Sequence, residues 1–110
     1  MKLTDKALKD FNEWYNKEKP FDLGNLHYSF YSLDLSMQIG VYELFFDTEN
    51  ILISVRPDRY SKEIGGSILV ESTFYQVWDL QSGCIHEETL ITRAESWEKA
   101  IEKANEIYNK

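Results

Sequence analysis

The chain has 110 residues, 19 of them acidic and 12 basic, for a formal net charge of −7. That balance argues against nucleic acid or an anionic membrane as the main partner, because phosphate contacts need clustered Lys and Arg. A hydrophobic share of 43% with 15% aromatics supplies one core, so residues 1–110 are expected to fold as a single domain without staples.

The lone cysteine precludes an internal disulfide framework and suits a reducing compartment. Two prolines and five glycines leave no room for a disordered linker. The stretch "MKLTDKALKDF" lacks the apolar run of a signal peptide, and Leu44–Phe46 and Ile51–Ile53 are too short to span a bilayer. A cytoplasmic location is the resulting expectation.

Residues 4–18 read as a helix. Thr4 suits the N-cap, Leu3 and Leu8 suit a hydrophobic staple, and Leu8, Phe11 and Tyr15 recur at helical spacing. Lys19-Pro20 ends it, because proline disfavours the α conformation in the residue before it. "LHYSFYSLDL", 26–35, alternates with a one-residue phase slip, which predicts a strand with a bulge. "QIGVYELFF" and "ILISV" flank the polar run Asp47–Asn50 and predict a first hairpin.

"RPDRYSKEIGG", 56–66, is the longest polar connection and gathers Arg56, Arg59 and Lys62. "SILVESTFYQVWD" and "CIHEETLI" then flank Leu80–Gly83 as a second hairpin. A last helix is predicted over 93–109. Thr92 and Glu95 make a capping-box pattern, and Trp97, Ala100, Ile101, Ala104, Ile107 and Tyr108 form one apolar stripe. The fold class is therefore α+β: an N-terminal helix, a four- or five-stranded antiparallel sheet with two hairpins, and a C-terminal helix. Both helices are expected on one face of the sheet.

Cys84, His86, Asp79 and Glu71 are the candidates for chemistry. Alternation puts Cys84 and His86 on one strand face with Cα atoms about 7 Å apart, a spacing one metal tolerates. A structural zinc needs four ligands, however, and His27 lies on a different predicted strand. A Cys-His nucleophile pair needs an orienting third group; Asp79 across the turn is the candidate, yet no elbow motif presents the thiol. Glu71, inside an apolar run, is the one carboxylate marked out for a perturbed pKa. The expectation is no catalytic residue, no metal and no cofactor, with Cys84 packed as a small hydrophobe and His86 half-exposed.

Binding has more material. Tyr28, Tyr31, Tyr42, Tyr75 and Trp78 are more large amphipathic rings than a small core wants. The expected contact surface is an open sheet face carrying Tyr28, Tyr42, Tyr75 and Trp78, with Glu87 and Glu98 at its rim. Glu95, Glu98, Glu102 and Glu106 form an acidic strip on the last helix, for which Glu95–Lys99 and Glu106–Lys110 are the expected pairs. The preferred reading is a small acidic protein-binding module, an inhibitor or immunity-type antagonist of a basic, nucleic-acid-handling protein. That analogy rests on size and charge alone. The alternatives are a self-associating module, a homodimer through the open sheet face, and a small enzyme using Cys84 and His86.

Overall fold

A computed structural model describes residues 2–18, 29–57, 61–64, 67–70, 73–90 and 92–110. The first helix, α1, runs Asp5–Glu18 and buries Ala7, Phe11 and Tyr15, four residues apart. Two N–H groups at its start are satisfied by side chains near residue 110. The Thr4 N–H donates to Asn105 Oδ1 at 2.9 Å and the Ala7 N–H to Asn109 Oδ1 at 2.8 Å. The Thr4 hydroxyl, expected as a cap, instead accepts from Asn105 Nδ2 at 3.0 Å. Tyr108 adds a 2.7 Å bond to Asp10.

The next segment departs from expectation. Residues 26–28 lie outside the described residues, and Phe30–Ser32 form a short 3₁₀ turn where a bulged strand was expected. Leu35–Thr48, expected to include the first strand of a hairpin, is a helix, α2. Asp34 caps it, its Oδ1 accepting from the Met37 N–H at 2.9 Å. Val41, Tyr42, Phe45 and Phe46 are buried, the i, i+1, i+4, i+5 pattern of one helix face. A short apolar run does not distinguish strand from buried helix by itself. Here the cap and the aromatic packing decide for the helix.

Asn50, in the left-handed region at φ 63 that asparagine tolerates, turns the chain from α2 into β1, Ile51–Pro57. The remaining strands are β2 (Ser61–Ile64), β3 (Ser67–Val70), β4 (Thr73–Asp79) and β5 (Cys84–Leu90). They form not one sheet but two: β1-β4-β5, and a β2-β3 ladder. β1 therefore pairs with β4, Ile51 opposite Asp79 and Pro57 opposite Thr73, and not with the segment that became α2. The β2-β3 ladder pairs Ser61 with Val70 and Ile64 with Ser67. The expected polar connection thus carries a strand. The β4-β5 hairpin forms as predicted, with Gly83 at φ 76 in its turn.

The last helix, α3, runs Arg93–Tyr108, and its Thr92 cap accepts from the Glu95 N–H at 3.1 Å. It lies across β1, β4 and β5, and α2 lies against β1. Ile51, Ile53, Tyr75 and Val77 share the sheet face that meets Ala100, Ile101 and Ala104 in the core. A buried pair of hydroxyls, Thr73 and Ser96, ties β4 to the start of α3, and Thr73 also donates to the Thr92 carbonyl at 2.8 Å.

Replacing Asn105 by Ala unpairs the Thr4 N–H and removes one of the two donors to its hydroxyl, and should cost about 1–3 kcal/mol in a denaturant titration. Gly40 sits inside α2 with open space where a Cβ would stand. Gly40→Ala should therefore stabilise the fold by about 0.5–1 kcal/mol, read as a higher melting temperature.

Candidate functional site

The expected chemical residues do not come together as a reacting set. Cys84 stands opposite Asp79 at the closed end of the β4-β5 hairpin, and His86 stands opposite Val77. The Asp79 carboxylate, the candidate orienter for His86, holds the turn instead. It accepts from the Ser82 hydroxyl at 2.8 Å and the Gln81 N–H at 3.1 Å, and the Ser82 hydroxyl bond holds its pKa below the usual value. Cys84 is exposed and not packed as expected: it opens β5, the edge strand of the β1-β4-β5 sheet. His86 is half-buried. Glu71 and His27 lie outside the described residues. Among the described residues no three His, Cys, Asp or Glu side chains stand together as a metal set, and no helix is long and apolar enough to cross a membrane.

The expected binding residues divide. Tyr28 lies outside the described residues. Tyr42 is on α2, not a strand, and is 1% exposed, with its ring 4.8 Å from Phe30 and 5.1 Å from Phe11. Tyr75 is 4% exposed because its position on β4 faces the helices. Its hydroxyl donates to Glu88 Oε2 at 3.1 Å, and burial together with that carboxylate pushes its pKa up to about 12. Both rings belong to the core and leave the proposed surface. Trp78 remains on it.

The sheet's other face is now readable from the register. Leu52, Trp78 and Ile85 are directly paired across β1, β4 and β5 and are 37%, 39% and 48% exposed. The next outward row is Ser54, Gln76 and Glu87, where Gln76 Nε2 donates to Glu87 Oε2 at 3.0 Å. Beyond it the Arg56 guanidinium lies over the Phe74 ring at 5.1 Å. An apolar stripe thus borders a polar one. Glu98 is exposed on α3, which covers the opposite face, so it does not rim this surface. In the acidic strip the ion pairs are Lys99–Glu102 at 3.7 Å and Lys103–Glu106 at 3.0 Å, one turn different from those expected.

No family model, curated protein or solved structure matches this chain.

Sequence reasoning missed a second surface, on α2. Ser36, Gly40, Glu43 and Asp47 recur at helical spacing and are all exposed, with exposed Leu44 alongside. Gly40, Glu43, Leu44 and Asp47 line a cleft of about 330 Å³ with Leu52 and Ile53. Partial burial and the neighbouring Asp47 charge raise the Glu43 pKa. The legible signal was a helix-length run apolar on nearly every side, since such helices are normally covered.

Because the folded state raises the Glu43 pKa, it holds the proton more tightly than the unfolded chain does. Stability contributed by this group is present at low pH and is lost as pH rises through the window just above the ordinary glutamate range. Glu43→Gln should therefore raise the melting temperature at neutral pH and leave no such gain in acid below that range, in a pH series of thermal melts.

Proposed function

We propose that this chain is a protein-binding module that meets its partner through the open face of the three-stranded sheet. The observation behind this reading is the Leu52–Trp78–Ile85 row, three large apolar side chains in register and exposed. Among the described elements, α2 and α3 pack on the opposite face. Exposed apolar patches rimmed by polar groups mark interaction sites, and a tryptophan at the centre of such a patch is a typical energetic anchor.

The partner in this reading is a basic protein. A net charge of −7 draws a cationic surface and accelerates encounter. Glu87 stands beside the apolar row, where a rim charge acts mainly on the association rate. An acidic antagonist of a nucleic-acid-handling protein fits that chemistry. Binding is favoured over catalysis because the Asp79 carboxylate is committed to the hairpin turn, away from any role beside His86.

Affinity capture from the native host, followed by calorimetry with the retained protein, tests the reading. Trp78→Ala should weaken binding by about 1 kcal/mol or more while the fold persists. Glu87→Gln should slow association and flatten its salt dependence. A folded Leu52→Ala/Trp78→Ala/Ile85→Ala triple variant that binds as well as the parent would remove the sheet face from consideration.

A further inference from the structure

We propose that α2 is a self-association surface on which a second copy of this chain docks antiparallel, with the two-fold axis beside Gly40. This surface adjoins the sheet face at Leu52, which lines the Gly40 cleft, but its docking contacts lie on α2 and at Arg93, and the proposal does not depend on that reading.

Gly40 is the first reason. It lies in the interior of α2 without a positive φ, and a Cβ added there would meet nothing. The single chain gains nothing from a residue that weakens a helix. A missing side chain does allow another backbone to come close. The stripe through Gly40 is flanked by Leu44 and, at the start of the helix, by Leu35, both exposed.

Charge chooses the occupant and its direction. Glu43 and Asp47 sit toward the C-terminal end of α2, and among the described residues neither has a cationic partner. Arg93 sits toward the other end. It lines a groove of about 580 Å³ with Leu35 and Ser36, while Tyr108, at the far end of α3, packs on Phe45 and Phe46. Arg93 likewise makes no ion pair among the described residues. The span from Leu35 to Asp47 is about 18 Å at the rise of an α-helix. An antiparallel two-fold therefore carries each copy's Asp47 to the second copy's Arg93, and the contact is made twice, as isologous symmetry requires. It also sets each carboxylate near the positive end of the opposing helix dipole. Parallel docking would set acid against acid and leave both arginines unmatched.

Sedimentation of the full chain across the micromolar to millimolar range should show a monomer–dimer equilibrium. Asp47→Arg and Arg93→Asp should each weaken it by about tenfold or more, because each sets like charges together. An equimolar mixture of these two variants should form a heterodimer in which both opposite-charge contacts are restored. Gly40→Leu should be monomeric with a melting temperature no lower than the parent's, which separates loss of docking from loss of fold. Trp78→Ala should leave the dimer intact. A chain that stays monomeric throughout overturns the proposal. So does a dimer indifferent to the α2 charges, or one dissolved by Trp78→Ala alone.

Discussion

The rings of Phe11, Phe30, Tyr42 and Phe45 meet in one cluster, and the helical half of the molecule depends on it. Phe11 on α1 lies 4.9 Å from Phe30, 5.1 Å from Tyr42 and 5.4 Å from Phe45, and Phe45 continues to Tyr108 on α3 at 5.6 Å. Such edge-on and tilted pairs each add about 0.5–1.5 kcal/mol beyond the area they bury. Their larger effect is on topology. The cluster takes the adjacent pairs Val41-Tyr42 and Phe45-Phe46 into the core together, an arrangement a helix meets and a strand, whose neighbouring side chains point to opposite faces, does not.

Once that segment is helical, the sheet has to find another partner for β1. β4 supplies it, and the alternation along β4 then decides which side chains face the helices. Tyr75 and Val77 go inward, Phe74, Gln76 and Trp78 outward. Tyr42 and Tyr75 are therefore spent on the interior, and the row left outside centres on Trp78. The tie between the two chain ends follows similar logic. Asn105 and Asn109 are polar side chains on a helix that touches the start of α1, and the unpaired N–H groups there give them partners.

The two surfaces that remain outward differ in physical character. The sheet face is an apolar row beside a neutral and acidic one. The α2 surface has Glu43 and Asp47 toward one end and Arg93 of α3 beside the other, with a glycine between. The first is the surface proposed for a foreign, basic partner, and the second has the arrangement needed to meet itself. A protein using both would be bivalent, presenting two sheet faces from one dimer, and two linked sites raise avidity without any new contact.

Local rules legible in the sequence determined α1, α3 and the β4-β5 hairpin. The Thr92 cap, the helical spacing and the turn glycine act over a few residues and survive into the structure, whereas the expected Thr4 cap gives way to a bond from Asn105. The cap at Asp34 was equally local, and it marks α2 in retrospect. The aromatic run that follows it suits either a strand or a buried helix. What tertiary structure alone decided was pairing and facing. The partner of β1 begins sixteen residues after β1 ends, across a segment that holds a two-stranded ladder of its own. Which rings are core and which are surface depends on that partner, because a strand side chain has no inside until a second layer covers one face.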